Sequence, residues 1–315
     1  MKADVRIVSL LPGATEILAA LGLTDAIVGR SHECDYPPEI QSRPVCTETK
    51  LNSAARSAEI HQDVNELLQS ALSIYQIKTD VLQQLKPTHI VTQDQCDVCA
   101  VSLKEVEEAL EHLTDIHPQI ISLKPNVLAD VLADVETVSS AFGVDSRRLV
   151  EDLQSRIKIC QQKIKGLSII ELPTVACIEW IDPLMTASNW IPELVKLAGG
   201  QPLFSAAGQP SAQITWETLV VTNPDVIIFM PCGLDLNRTR SEALTLTERP
   251  EWENIRAVKT GRVYITDGNA YFNRPGPRLV DSQEILAEIL HPEIFEYGYK
   301  GTGWESLAVV GATRG

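Results

Sequence analysis

The side chains best suited to chemistry are thiols. Cys96 and Cys99 stand in a Cys-x-x-Cys spacing that suits chelation of a soft metal, and His32 or Cys34 could complete a tetrahedron, with Cys232 a further donor. Two other readings of these cysteines are a thiol-redox pair and ordinary buried, small apolar side chains. Asp94, Asp97, Glu179, Asp182 and Asp267 are carboxylates in segments where capping and Asx turns are the usual roles. Arg274, set between Asn273 and Pro275, is placed to meet an acidic or amide-bearing group. The enzyme signatures Gly-x-Gly-x-x-Gly, Walker A, Gly-x-Ser-x-Gly and His-Glu-x-x-His are all lacking. Leu11-Pro12-Gly13-Ala14-Thr15 offers backbone N–H groups at a helix start but has no phosphate-loop lysine. Catalysis therefore has no support in the sequence.

These residues need elements to position them. Short β-branched runs alternate with helical patterns, which predicts parallel sheets with crossover helices. Strands are expected over 5–10, 26–31, 89–92, 119–123, 174–178, 226–230 and 262–265, and helices over 64–85, 102–112, 190–197, 241–246 and 279–290. From 127 to about 165 there is one long helical pattern, with a potential break at Gly143-Val144-Asp145. The expected fold is α/β, with two Rossmann-like lobes built on parallel sheets and joined by one long helix. Residues 1–123 form the N-terminal lobe, 124–168 the connecting helix, 169–296 the C-terminal lobe, and 297–315 a Gly-rich loose tail.

In such sheets the carboxyl ends of the strands face the ligand crevice. The loops that fall there include Pro12–Thr15, 31–37, 93–99, 179–183, 231–235 and 267–274. Aromatic residues make up only 5% of the chain, yet Tyr36, Trp180, Tyr271 and Phe272 all lie on these loops, with four of the seven cysteines. Core packing alone does not explain that concentration. His61, His89, His112, His117 and His291 fall within elements or at their ends and read as surface or satisfied core residues.

Composition narrows the partners. Of 315 residues, 44% are hydrophobic, enough for a core, and 27 basic against 42 acidic residues give a net charge of −15. Such a surface repels phosphate backbones and anionic lipid, so nucleic acid is not an expected partner. No run of 18 apolar residues predicts membrane insertion. The apolar stretch 5–23 is interrupted by Pro12-Gly13 and Glu16, unlike a secretory leader, and the odd cysteine count argues against a disulfide framework. Both features favour a cytoplasmic setting, or a periplasmic one if a leader has been removed.

Several motifs together resemble one family. Arg6-Ile7-Val8-Ser9-Leu10-Leu11-Pro12-Gly13-Ala14-Thr15-Glu16-Ile17-Leu18 is similar to the opening of the class III, helical-backbone substrate-binding proteins of ABC importers. Cys34-Asp35-Tyr36-Pro37-Pro38, Leu85-Lys86-Pro87-Thr88-His89-Ile90-Val91, Thr222-Asn223-Pro224-Asp225-Val226-Ile227-Ile228 and Arg274-Pro275-Gly276-Pro277-Arg278-Leu279 resemble its cobalamin-binding branch. Residues 47–75 stand where the family usually has a short link. The resemblance covers roughly residues 5 to 292 and implies a ligand clamped between two lobes with little closure. It also implies a cobalamin-like corrinoid or another metal chelate as ligand, an ABC permease as potential partner, and no enzymatic activity. The expected ligand-binding residues are Pro12, Gly13, Ala14, Thr15 and Tyr36 on one lobe and Trp180, Tyr271, Phe272 and Arg274 on the other, with aromatic rings set to cover a flat macrocycle. The alternatives are a zinc- or other soft-metal-binding or thiol-redox protein using Cys34, Cys96 and Cys99, and an enzyme on the same scaffold.

Overall fold

The computed structural model describes residues 5–70, 74–94, 101–111, 117–167 and 172–307. Cys96, Asp97, Cys99 and His112 lie outside these residues.

The N-terminal lobe is built on a four-stranded parallel sheet in the order β2-β1-β5-β6, from β1 (Ile7–Ser9), β2 (Ile27–Arg30), β5 (His89–Gln93) and β6 (Gln119–Leu123). A separate antiparallel pair, β3 (Thr47–Thr49) with β4 (Tyr75–Ile77), stands beside it. Helices α1 (Pro12–Ala20), α2 (Ser57–Gln69), α3 (Thr79–Leu85) and α4 (Leu103–Glu111) complete the lobe. The single helix expected over 64–85 is thus two helices with a strand between them, because Tyr75 and Ile77 alternate with Gln76 and pair with β3. Alternate residues of the sheet feed different cores. Ile7, Val91 and Ile121 meet Ile17 and Leu18 of α1, while Val8 and Ile90 meet Leu82 of α3 and Val106 of α4.

The connection is two helices, α5 (Leu128–Phe142) and α6 (Arg147–Ile164). The break falls at Gly143, whose φ of +66° closes α5 in the left-handed conformation that glycine adopts without steric cost. Val135 and Val138 of α5 pack into the N-terminal lobe, and Leu153, Ile157 and Cys160 of α6 into the C-terminal one.

The second lobe carries a mixed sheet. Its strands β7 (Thr174–Trp180), β10 (Val226–Phe229) and β11 (Val263–Thr266) are parallel, and β9 (Gln201–Pro202) joins β7 in parallel. β8 (Met185–Thr186) and β12 (Trp304–Ser306) add antiparallel edges. Helices α7 (Ile191–Leu197), α8 (Trp216–Thr222), α9 (Leu236–Leu244), α10 (Arg256–Lys259) and α11 (Leu279–Leu290) cover it. β10 is buried along its whole length, as a central strand covered on both faces must be. On one face Cys177 and Ile228 pack with α11 and α6; on the other Ile178 and Phe229 pack with Ala243 of α9. The tail expected to be loose is ordered through Leu307: Trp304 is buried, donates its indole N–H to Glu288 Oε2 at 2.8 Å, and begins a strand on β11. Among the described residues no helix is long and apolar enough to cross a membrane.

Candidate functional site

The strand ends of the two sheets face each other, and the residues after them meet across the interface. On the N-terminal side α1 opens with Pro12 at its first turn, where a fixed φ suits a helix start. Pro12 is half-buried, while Gly13, Ala14 and Thr15 are buried. A Cβ on Gly13 would lie 2.4 Å from the Pro275 carbonyl oxygen of the opposite lobe, so only glycine permits this approach. The helix start expected to line a ligand cleft is therefore covered by the Arg274–Arg278 loop.

That loop is shaped by its own polar groups. Asp267 Oδ1 accepts from the N–H groups of Asn269 and Ala270 at 3.1 and 2.7 Å, and Asn273 Nδ2 donates to the carbonyls of Met230 and Gly268 at 3.0 and 2.9 Å. Asp267 thus has the turn-forming role expected of it. The loop then delivers two arginines to the other lobe. Arg274 is 6% exposed and pairs bidentately with Asp35, while Asn269 Nδ2 also donates to Asp35 Oδ2 at 3.1 Å. Arg278 donates to both oxygens of Glu16, at 2.9 and 2.5 Å, and Glu16 is 3% exposed. Burial raises the Asp35 carboxyl, but the hydrogen-bonded Arg274 and Asn269 outweigh it and hold Asp35 below the usual carboxylate value. Arg274, expected to meet an acidic or amide-bearing ligand group, thus joins the lobes through Asp35 in this structure.

The aromatic residues divide. Tyr36 is 43% exposed, and the Arg278 guanidinium lies 3.9 Å from its ring centroid, with Tyr271 on another side of that guanidinium at 5.5 Å. Tyr271 is half-buried and meets Tyr299 edge-on. Trp180 is half-buried and donates its indole N–H to the Ser57 carbonyl of the other lobe at 3.2 Å. Phe272 is fully buried in the C-terminal core; its N–H donates to Ser282 Oγ and its carbonyl accepts from Trp190 Nε1. Phe272 thus packs into the C-terminal core, from a backbone in the left-handed region at φ +64°.

The metal hypothesis fares differently on its parts. Cys34 is fully buried beside Thr15 Oγ1 at 3.0 Å and Ser31 Oγ at 3.2 Å, and burial pushes its thiol up, away from the thiolate a metal needs. His32 Nδ1 is 2.8 Å from Thr47 Oγ1, and burial, then Lys78, lower its affinity for a proton. Cys232 is exposed on the opposite lobe. Among the described residues no group of three or more His, Cys, Asp or Glu side chains is arranged to hold a metal, and Cys96 and Cys99 lie outside them.

Two α/β units joined by a helical connection, meeting at their strand ends, set the context for comparison. Residues 7–270 match the family described as periplasmic binding protein. The chain belongs to that family. A substrate-binding lipoprotein of an ABC transporter from Bacillus subtilis, described as uncharacterized, is 26% identical over 302 residues, spanning 94% of this chain and 82% of that protein. The vitamin B12-binding protein of Vibrio vulnificus is 24% identical over 292 residues, spanning 90% and 89%. Among solved structures, the periplasmic vitamin B12 binding protein of Vibrio cholerae superposes with a TM-score of 0.65 at 20% identity, covering 91% of this chain and 97% of that one. The periplasmic haem-binding protein of Roseiflexus gives 0.68 at 20% identity, covering 92% and 99%. These likenesses establish the bilobal fold of a periplasmic binding protein. The descriptions of the relatives, lipoprotein or periplasmic, give the expected cytoplasmic setting no support.

The arrangement missed by residue-level reading is the pair Glu16 and Arg278. Glu16 is the one charge in a largely apolar helix, a signal that a buried charge has a partner elsewhere. Ser57 and Glu242, joined across the lobes at 2.7 Å, carried no comparable signal.

Proposed function

We propose that this periplasmic binding protein captures a metal chelate, a cobalamin-like corrinoid in the first instance, between its lobes and presents it to an ABC permease. The observation that carries the reading is the cluster of Tyr36, Arg278 and Tyr271 at the meeting of the strand ends, with Trp180 on the other side of the interface. An exposed Tyr36 with half-buried Tyr271 and Trp180, beside a guanidinium, suits a wide, flat ligand whose edge bears amide or acidic groups. The B12-binding relatives support the same ligand class, and the haem-binding neighbour supports a planar chelate more broadly. The role is binding and delivery without catalysis. The periplasmic and lipoprotein relatives support a setting outside the cytoplasm, and fractionation of cells producing the native gene product tests it.

Calorimetric titration with cyanocobalamin, hemin and zinc in parallel tests the ligand. Heat with cyanocobalamin that falls at least about tenfold in affinity on Tyr36→Ala supports the reading, that being the loss of one aromatic anchor. Heat with zinc alone would replace it with a metal site involving the cysteines, and serine at Cys96 and Cys99 would then abolish that heat. Heat with hemin alone keeps the cleft and changes the chelate.

A further inference from the structure

The lobes are tied on two sides by different sets of contacts. The Arg274–Asp35 and Arg278–Glu16 pairs lie beside α1 and α11, which pack on the same sheet faces as α5 and α6. They are therefore next to the connecting helices. A second set of ties comes from α9 and the end of β7. α9 packs on the opposite sheet face from α11, so this set lies on the far side of the interface from the connection.

The far-side ties all grip one segment, 53–61, which leads from the β3 strand into α2. Arg238 donates to the carbonyls of Ser53 and Ala55 at 2.5 and 2.7 Å. Glu242, 8% exposed, accepts from Ser57 Oγ at 2.7 Å and Ser57 N at 3.3 Å, and Trp180 Nε1 donates to Ser57 O at 3.2 Å. Gln213 Nε2 lies 3.5 Å from His61 Nε2. These contacts are polar, and beside them is a cavity of about 320 Å³ lined in part by Ala54, Arg56, Asn237 and Ser241. Of the 13 residues of α2 only Ser57 is buried; Val64 and Leu67 further along pack against the N-terminal core, while the first turn meets the other lobe through Ser57. Segments with few buried apolar contacts open at low free energy, well before the surrounding core.

We propose that residues 53–61 are a latch across the mouth of the cleft, held shut by Arg238 and Glu242, which opens while the Glu16–Arg278 and Asp35–Arg274 pairs stay closed. Glu242 works as a clamp on the first turn of α2, and Arg238 as a clasp on the loop before it. The latch reconciles a rigid two-lobe frame with passage of a ligand: the frame does not hinge, and one wall of the cleft swings aside. The inference stands on contacts within the empty protein and does not depend on which chelate binds.

Hydrogen exchange of the full, ligand-free chain, read by mass spectrometry, tests it. In the wild type, peptides covering 54–61 exchange faster than those covering 12–18 and 279–286. The Arg238→Ala/Glu242→Ala variant speeds exchange over 54–61 by roughly tenfold or more, the loss of charge-assisted hydrogen bonds, and leaves the other two regions unchanged. Ser57→Ala, which removes one donor and disturbs folding least, gives a smaller rise in the same peptides. Exchange over 54–61 that ignores both variants overturns the latch. So does a joint rise in all three regions, which would mean that the lobes separate as a whole. Stopped-flow association of cyanocobalamin adds a second arm: a faster on-rate in the double variant supports passage through the latch, and an unchanged on-rate with loosened 54–61 overturns it. If neither protein binds cyanocobalamin, the corrinoid reading fails and the exchange pattern alone decides the latch.

Discussion

Replacing Glu16 with alanine tests whether the lobes are held by a buried ion pair. Glu16 is 3% exposed, accepts two guanidinium N–H bonds from Arg278 at 2.9 and 2.5 Å, and lies 3.7 Å from Arg274 Nη1. Deleting one partner of a buried pair costs about 3–5 kcal/mol, because the charge left behind has lost its partner in a poorly solvated place. Arg278 keeps the Tyr36 ring at 3.9 Å and its side chain is 14% exposed, so water recovers part of that cost. The expected loss sits at the lower end, about 3 kcal/mol. For a chain of 315 residues this lowers the melting temperature by roughly 6 °C, taking about 2 °C per kcal/mol for larger domains. Glu16→Leu combined with Arg278→Met removes both charges and fills the space, and it loses less than Glu16→Ala alone, since an apolar pair can replace a buried ion pair at little cost. Urea unfolding followed by circular dichroism measures all three proteins. A Glu16→Ala variant within about 1 kcal/mol of wild type would place the pair in water and refute the reasoning.

Other perturbations probe other parts of the interface and core. Gly13→Ala puts a methyl 2.4 Å from the Pro275 carbonyl oxygen, so it destabilises by roughly 1–3 kcal/mol as an overpacking change, again read by urea unfolding; a neutral result would mean that the lobes do not touch here. Cys34, buried with a raised thiol, reacts with iodoacetamide at pH 8 more than about tenfold slower than exposed Cys232, by peptide mass mapping; equal rates would deny its burial. Asp134 has a carboxyl pushed up to about 7 by burial and then by Asp130, and its Oδ2 has no hydrogen-bond partner among the described residues. Between pH 4 and 7 the folded state therefore holds a proton that the unfolded chain has released, and stability falls as pH rises through that window. Asp134→Asn removes the fall, gaining roughly 1–2 kcal/mol at pH 8 after allowance for partial exposure; an unchanged pH profile would contradict it.

The scaffold was legible where patterns were long and apolar. The strand over 119–123 and the helix over 279–290 stand as expected, because a run of β-branched residues and a twelve-residue apolar periodicity leave few alternatives. Short elements whose partners are distant were not legible. Nothing around Tyr75-Gln76-Ile77 distinguishes a strand until β3 is beside it, and the glycines at 298, 301 and 303 disguise the turn that brings Trp304 back to β11. The break at Gly143 was visible because a glycine between two helical patterns has a local reason to end one of them.

At the candidate site, residue type marked loops that meet between the lobes but not the direction of each side chain. Tyr36, Trp180 and Tyr271 reach the interface, while Phe272, next in sequence to Tyr271, turns into the core at a left-handed backbone position that its neighbours do not signal. Arg274 illustrates the deeper limit. A lone arginine in a loop looks available for a ligand until the fold brings Asp35 against it, and then its charge is already neutralised. The same event ties the two lobes together. Arg274 and Arg278 sit four residues apart on one loop and engage carboxylates from two different N-terminal elements, so rotating one lobe would break both pairs at once. The side away from the connecting helices carries polar contacts to a helix whose first turn buries Ser57. That contrast is why the proposed latch is placed at 53–61: contacts to one short segment can open singly, whereas the two arginine pairs share a loop and open together.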